Sequence, residues 1–104
     1  YPKEIEDFIY THPKVQDVQV IGVPDKQYGE EIMACVIVRP DETLTEEELR
    51  TFCMENIAKH KVPRYFDFVS EFPQNAAGKI LKYKMRENAV EKLNLHDANK
   101  IETA

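Results

Sequence analysis

The sequence has little of what several classes of protein require. No apolar run approaches the ~20 residues of a membrane-spanning helix, and no secretory signal pattern opens the chain. The two cysteines, Cys35 and Cys53, lie in apolar patterns, which disfavours a disulfide scaffold and favours a reducing compartment. With 104 residues the chain is too short for a complete enzyme with a large nucleotide site. It also begins without Met, so we expect it to be a fragment.

Side chains that could catalyse a reaction unaided are scarce as well. No serine or threonine lies in a nucleophile-elbow pattern, so no catalytic triad can be assembled. The histidines His12, His60 and His96 are far apart and lack the spacing of metal ligands, so we expect no metal site. Neighbouring carboxylates such as those of Glu30 and Glu31 are typical of turns and do not indicate an acid/base pair.

Charge is distributed unevenly along a chain that has the composition of a globular domain. Hydrophobic residues make up 42% and charged residues 32% of the sequence, so one modest core can form. The net charge is -5, but residues 59–86 contain 7 Lys or Arg against 2 Asp or Glu, whereas residues 1–58 contain 5 against 13. A basic segment in an acidic chain indicates either a local anionic partner or a solvated basic face.

A hairpin is predicted in the first half of the chain. Two runs rich in Val and Ile, residues 15–23 and 32–38, are separated by a turn that contains Gly29, which predicts two antiparallel strands. Because the second run is apolar at 7 successive positions, we expect this strand to be central in the sheet and covered on both faces.

The remaining elements complete the order helix, strand, strand, helix, strand, helix. Thr45 and Glu48 match a capping box and predict the start of the second helix. A third strand is predicted at residues 65–69 and a last helix at residues 83–93, with residues 96–104 as a disordered tail. This order predicts an α+β domain, namely a small, mostly antiparallel three-stranded sheet with helices packed on it.

The loop before the last helix is Phe72-Pro73-Gln74-Asn75-Ala76-Ala77-Gly78-Lys79-Ile80. Gly78 lets the backbone turn sharply, and Lys79 is left as a long cation at the tip. The loop is not a Walker phosphate loop, because Ala and Asn precede Gly78 and Ile80 stands where Ser or Thr is needed. By itself, a Gly-Lys pair in a loop is typical of an ordinary turn.

Several short motifs occur together in the order and spacing of one known family. They are Tyr1-Pro2-Lys3-Glu4-Ile5-Glu6, His12-Pro13-Lys14-Val15, Gly22-Val23-Pro24-Asp25, Gly29-Glu30, Lys61-Val62-Pro63-Arg64, Phe72-Pro73 and Gly78-Lys79-Ile80. On these motifs the sequence resembles the C-terminal domain of the adenylate-forming, or AMP-binding, enzymes over residues 1–93. The stretch from Phe52 to Tyr65 is most similar to the fatty acyl-CoA synthetase branch.

The resemblance implies a part in an ATP-dependent acyl-CoA ligase. Such enzymes join a carboxylate to ATP, which gives an acyl-adenylate and pyrophosphate, and then transfer the acyl group to the thiol of coenzyme A. Lys79 would be the lysine of the adenylation step, bridging the attacking carboxylate and the α-phosphate, and Gly78 would set the loop geometry. ATP, coenzyme A and Mg²⁺ are implied for the whole enzyme, with Mg²⁺ held mainly outside this domain.

The resemblance also implies the partners of the chain. Residues 1–95 would form a mobile lid on a large N-terminal domain that carries the ATP phosphate loop and the acyl pocket. The chain alone would then be inactive. Candidates for binding coenzyme A are His60, Lys61 and Arg64. Three further basic residues are expected to pair with the large domain or with solvent: Lys82, Lys84 and Arg86.

Other interpretations stay open at this point. The chain could be a free-standing binding or dimerisation module, or the lid of another adenylate-forming enzyme. Nucleic-acid binding through Tyr65, Phe66 and Phe68 is disfavoured, because most of the chain is acidic and these aromatics alternate as in a buried strand. We expect a cytoplasmic protein with no nucleic-acid partner and no membrane span.

Overall fold

The backbone of residues 2–103 and the side chains of residues 2–93 are described by the structure, a computed structural model. The elements follow the predicted order, with one short 3₁₀ turn added: α1 (Pro2–Tyr10), β1 (Val15–Asp25), β2 (Gly29–Val38), α2 (Glu46–Asn56), the 3₁₀ turn (Lys59–Lys61), β3 (Tyr65–Phe68) and α3 (Lys82–Thr103). The predicted α+β class is confirmed. None of the described helices is long and apolar enough to cross a membrane.

The sheet has three strands in the order β1-β2-β3, so β2 is the central strand. β1 and β2 form the predicted antiparallel hairpin, in which Val20 faces Ala34. β3 pairs with β2 in parallel, with Phe66 beside Ala34. A parallel partner requires a crossover connection, and α2 provides it. The antiparallel β1–β2 pair is much longer than the parallel β2–β3 pair. The mostly antiparallel sheet that the sequence predicts is therefore confirmed.

Two hydrophobic cores lie on opposite faces of the sheet, because successive side chains of a strand point to opposite sides. On the first face Ala34 and Val36 of β2 pack with residues of α1 and α2, including Ile9 and Leu49. On the second face the intervening β2 residues, Met33 and Cys35, pack against Phe72 of the loop before α3 and against Met85 and Ala89 of α3. The central strand is thus covered on both faces, as predicted.

The start of α2 is fixed by the capping box that the sequence predicts. The Glu48 amide donates to Thr45 Oγ1 at 3.1 Å, and the Thr45 amide donates to Glu48 Oε1 at 3.4 Å. Leu44 and Leu49, which flank this box, are both buried in the first core. Their positions are those of a hydrophobic staple, so both the hydrogen bonds and the packing set the entry of the chain into α2.

The last helix extends further than expected. It begins at Lys82 and ends at Thr103, whereas the sequence predicts an end near Leu93. No Gly or Pro occurs from Lys82 to Thr103, so the sequence contains no strong stop signal. The side chains of residues 94–104 lie outside the described residues, and the disorder expected of the tail at 96–104 stays a prediction.

Candidate functional site

The loop that carries Lys79 is a small hairpin, here called the lysine hairpin (residues 73–81). At its base the Leu81 amide donates to the Pro73 carbonyl at 2.9 Å. Above the base, Gln74 and Ile80 form an antiparallel bridge. The Asn75 amide donates to the Lys79 carbonyl at 3.0 Å, which continues the pairing. The predicted loop is therefore an ordered turn with paired legs.

The tip of the lysine hairpin turns at Gly78. The Gly78 amide donates to the Asn75 carbonyl at 3.0 Å, and Gly78 has a φ of +85°. This positive φ is the left-handed region that glycine adopts without steric cost. A Cβ at Gly78 would meet nothing within 4 Å, so the requirement for glycine is one of backbone conformation, not of space. This conformation agrees with the prediction that Gly78 sets the geometry of the loop.

The side chain of Asn75 holds the tip through hydrogen bonds, a role that was not predicted from the sequence. Its side-chain Oδ1 accepts hydrogen bonds from the Ala77 amide at 2.9 Å and from the Lys79 amide at 3.0 Å. Asparagine at the first position of a turn is a known signal for such bonds, and an Asn followed three residues later by Gly was available in the sequence. The backbone of Lys79 is thus fixed through both its amide and its carbonyl.

The side chain of Lys79 is exposed at the tip. Other lysines of the chain reach carboxylates: Lys14, Lys61, Lys82 and Lys92 each lie within 3.5 Å of one. Lys79 has no ion pair with the residues whose side chains are described. A cation on a fixed backbone, with no internal partner in the described part of the chain, can be presented to an anion on another surface.

The three residues predicted to bind coenzyme A share one segment but point to different partners. Lys61 Nζ lies 2.8 Å from Glu4 Oε1 of α1. The Arg64 Nε donates to Tyr65 Oη at 3.3 Å, and the guanidinium lies 5.5 Å from the centre of the Tyr65 ring. His60 is exposed on the 3₁₀ turn. The three residues are close in sequence, but no hydrogen bond joins any two of them.

Neighbouring charges affect this segment. The hydrogen bond from Lys61 lowers the pKa of the Glu4 carboxyl, and the charge of Lys61 adds to this effect. The hydrogen bond to Tyr65 raises the pKa of the Arg64 guanidinium, and the carboxylates of Glu31 and Asp25 contribute in the same direction. Arg64 stays charged, but it stands near carboxylates with which an incoming phosphate would have to compete.

Arg50 organises the backbone of the same segment and was not identified from the sequence. Its guanidinium donates to the Pro63 carbonyl at 3.1 Å and to the Arg64 carbonyl at 3.0 Å. It also bonds Glu46 Oε2 at 3.0 Å and lies 4.9 Å from the centre of the Phe66 ring. No sequence signal marks such a role, because the bonded carbonyls are 13 and 14 residues further along the chain.

A broad cleft of about 760 Å³ runs between the β1–β2 turn, β3 and α3. Arg64 and Tyr65 line it, together with Asp25 and the Lys92–Asp67 ion pair. Lys79 does not line this cleft. The cleft therefore lies beside the basic segment and not beside Lys79.

The two cysteines are buried, and their burial affects the thiols. Burial raises the pKa of the Cys35 thiol to about 12 and that of the Cys53 thiol to about 11. Both side chains are therefore neutral at physiological pH and unsuited to act as nucleophiles. In the part of the chain that the structure describes, no group of three or more His, Cys, Asp or Glu could hold a metal ion.

The family of the chain follows from comparison with known proteins. The family model described as the AMP-binding enzyme C-terminal domain matches residues 4–79, which is more than half of the chain and reaches as far as Lys79. The chain therefore belongs to this family, and the membership predicted from its motifs is confirmed.

Relatives of known sequence agree with this membership. The chain is 48% identical over 95 residues to the putative acyl-CoA synthetase YngI of Bacillus subtilis, covering 91% of this chain and 17% of that protein. It is 50% identical over 95 residues to the mitochondrial medium-chain acyl-CoA ligase ACSF2 of Homo sapiens, covering 91% of this chain and 15% of that protein. The chain thus spans about a sixth of the length of these curated relatives.

Solved structures show the same fold. A fatty acyl CoA synthetase of Mycobacterium tuberculosis superposes with a TM-score of 0.77 at 39% identity, covering 85% of this chain and 17% of that one. ATP-bound MatB from Rhodopseudomonas palustris superposes with a TM-score of 0.81 at 36% identity, covering 85% of this chain and 18% of that one. In each case this chain is similar to one part of a much longer protein.

Proposed function

We propose that the chain is the C-terminal lid of an ATP-dependent acyl-CoA ligase. The observation that carries the proposal is an exposed lysine on a hydrogen-bonded, Gly-containing hairpin in a member of the AMP-binding family. The relatives in sequence add support, because those reported above are named as acyl-CoA synthetases or ligases. A large N-terminal domain, with the ATP phosphate loop and the acyl pocket, is the proposed partner.

In the proposed adenylation step the carboxylate oxygen of a fatty acid attacks the α-phosphorus of ATP, and pyrophosphate leaves. The ammonium of Lys79 lies between the carboxylate and the α-phosphate, where negative charge concentrates in the transition state. Such a contact raises the rate because it strengthens as the reaction proceeds. Mg²⁺ supplies further charge neutralisation on the phosphates when bound. The described part of this chain has no group of three or more His, Cys, Asp or Glu that could hold a metal ion, and ATP and the large domain are the proposed source of the ligands.

The role of Lys79 is tested by separating the two half-reactions in the full-length protein that contains this chain. For Lys79→Ala we expect pyrophosphate release with ATP and fatty acid to fall by about 10²–10³-fold, the usual loss when one such charge contact is removed. Thioester formation from added acyl-adenylate and coenzyme A keeps most of its rate. The control is Lys84→Ala, which removes an exposed lysine at the start of α3. Equal losses in both half-reactions would contradict the proposal.

The second half-reaction concerns coenzyme A. We propose that His60, Lys61 and Arg64 bind the phosphates of its nucleotide end, since guanidinium and ammonium groups form charge-assisted bonds to phosphate. Support comes from their closeness in the chain: His60 and Lys61 lie on the 3₁₀ turn, and Arg64, three residues further on, lines the broad groove. Lys61 would have to share its ammonium between Glu4 and the ligand, or leave Glu4 on binding.

The proposed coenzyme A site predicts a change in one Michaelis constant only. For Arg64→Ala we expect the KM for coenzyme A to rise about tenfold, which corresponds to one charge-assisted hydrogen bond of about 1.5 kcal/mol. The adenylation rate stays unchanged. Lys3→Ala is the matched control, because it removes an exposed cation that pairs with Asp7 on α1. An unchanged KM for coenzyme A in Arg64→Ala would remove Arg64 from the site.

The cytoplasmic location expected from the sequence stays a proposal. The ACSF2 relative is named as mitochondrial, so the comparison does not support a cytoplasmic location. Fractionation of cells that express the full-length protein tests the location, and recovery with a mitochondrial marker would contradict it.

A further inference from the structure

Glu6 of α1 and Lys82 at the start of α3 form an ion pair between residues 76 positions apart. The Lys82 Nζ lies 2.6 Å from Glu6 Oε2. The Glu6 side chain is 17% exposed, the lowest value among the described ion pairs. From the sequence, Lys82 is expected to pair with a large domain or with solvent. The structure instead places its ammonium against Glu6 within this chain.

The same two side chains bind the backbone of Val20. Glu6 Oε2 accepts from the Val20 amide at 2.7 Å, and Lys82 Nζ donates to the Val20 carbonyl at 3.0 Å. β1 is an edge strand, so these groups of Val20 have no neighbouring strand to pair with. The ion pair therefore replaces a strand partner, and each charged group has two hydrogen-bonding partners.

This arrangement connects the two layers of the domain around the edge of the sheet. Residues of α1 pack on the first core, through Ile5 and Ile9. Residues of α3 pack on the second core, through Met85 and Ala89. The Glu6–Lys82 pair joins α1 to α3 beside Val20 of β1. It is a direct side-chain link from α1 to the first residue of α3.

Lys82 also follows the lysine hairpin directly. The first leg of the hairpin continues from Phe72, which is buried in the second core. The second leg ends at Leu81, which closes the base by bonding the Pro73 carbonyl. The first leg is therefore secured by burial, and the second leg is secured at the next residue by the ion pair across β1. Lys79 is only three residues from this attachment.

We propose that the Glu6–Lys82 pair is a positioning device for Lys79, an inference that rests on the role of Lys79 proposed above. The pair fixes where the second leg of the hairpin leaves the sheet edge, and hence where the Lys79 ammonium lies. Loss of the pair leaves the hairpin folded but lets its base move relative to β1. A displacement of about 1 Å at a reacting group costs up to about 10²-fold in rate, so a modest change at this base is sufficient.

The test uses the full-length protein with Lys82→Gln. We expect the kcat of adenylation to fall about tenfold, with the KM for ATP changed by less than about twofold, because positioning and not binding is impaired. Thioester formation from added acyl-adenylate keeps its rate. Lys82→Arg retains most of the adenylation rate, because a guanidinium can bond both Glu6 and the Val20 carbonyl. Glu6→Gln is the second variant, since it keeps an acceptor for the Val20 amide but loses the charge.

Lys14→Gln is the control for a purely structural effect. Like Lys82, Lys14 bonds a carboxylate and a backbone carbonyl, those of Glu48 at 3.5 Å and Thr43 at 2.9 Å, and it lies outside the proposed sites. We expect its adenylation rate to be unchanged. If Lys82→Gln and Glu6→Gln match Lys14→Gln in both half-reactions, or slow both half-reactions equally, the inference is wrong.

The two proposals fail in different ways. If Lys79→Ala retains adenylation, the proposed function of the lysine is wrong, whatever Lys82→Gln does. If Lys79→Ala loses adenylation while Lys82→Gln and Glu6→Gln are normal, the proposed function stands and only the positioning inference is wrong. Thermal unfolding of each variant, followed by circular dichroism, establishes that the comparison is made between folded proteins.

Discussion

At the scale of single residues, Asn75 links the sequence of the lysine hairpin to the position of Lys79. Its Oδ1 accepts from two amides of the tip, and its carbonyl accepts from a third. The tip is exposed, so burial contributes little to its order. Local hydrogen bonds and the left-handed Gly78 therefore determine the conformation in which Lys79 is held.

Replacing Asn75 with Ala tests this account. The variant loses the acceptor for the Ala77 and Lys79 amides, and we expect amide hydrogen exchange at Lys79 to be about fivefold faster, which corresponds to about 1 kcal/mol for the lost bonding. The global unfolding midpoint changes little, because Asn75 lies outside both cores. Exchange is measured by NMR on the 104-residue chain. Ala76→Ser, an exposed change in the same turn, is the control, and unchanged exchange at Lys79 in Asn75→Ala would contradict the account.

Residue-scale features were predictable from the sequence where the cause is local. Gly78 was identified because a positive φ is a property of the residue itself, and the structure shows this φ. Glu6 and Lys82 were not paired in advance, because they meet only once β1 lies between α1 and α3. The same holds for Lys61, whose partner Glu4 is 57 residues away in the chain. The functions of Lys79, His60, Lys61 and Arg64 stay proposals.

At the scale of elements, α2 has the clearest local signals. Its N-cap, Thr45, and its N3 residue, Glu48, satisfy two amides at the start of the helix. Removing the Thr45 hydroxyl leaves amides of the first turn with water as their only partner. The helix carries the crossover between β2 and β3, so its start also influences the parallel strand pair.

We therefore expect Thr45→Ala to lower the free energy of unfolding by about 1 kcal/mol, the usual cost of losing a threonine N-cap. Urea denaturation of the 104-residue chain measures the change. Thr51→Ala is a matched control, because Thr51 is exposed in the interior of α2, where Ala is the better helix former. A loss in Thr51→Ala as large as that in Thr45→Ala would show that the cap is not the cause.

Prediction at the scale of elements succeeded where periodicity or composition is informative. The apolar run at residues 32–38 indicated a central strand, and β2 has a core on each face. The parallel pairing of β3 was not predicted individually, because strand direction depends on the path of α2 and not on the four residues of β3. The length of α3 was underestimated because its polar second half has no periodic apolar face that marks a continuing helix.

At the scale of the whole molecule, Lys79 and Lys61 are attached to different layers of the domain. The lysine hairpin is attached to the second core through Phe72. Lys61 pairs with Glu4 of α1, the helix that covers the first face. If Lys79 and Lys61 both act at one large-domain site, as proposed above, the domain has to be reoriented between the two steps.

The proposed division of the active site between two domains predicts that the chain has no activity by itself. With ATP, Mg²⁺ and a fatty acid, we expect no acyl-adenylate or pyrophosphate above background, because the described part of the chain has one proposed charge contact and no metal cluster. The full-length protein serves as the positive control in the same assay. A measurable yield from the 104-residue chain alone would contradict the division of the active site between two domains.

The two-sided burial of β2 has a consequence for the order of synthesis on the ribosome. α1, the β1–β2 hairpin and α2 emerge in that order before the rest of the domain, so α1 and α2 can cover the first face at once. The second face, with Met33 and Cys35, has its cover in α3, which is translated about 50 residues later, or several seconds at usual elongation rates. During that interval the nascent chain presents an apolar strip. A chaperone that binds such strips would act on this domain before Ala89 has emerged and not afterwards.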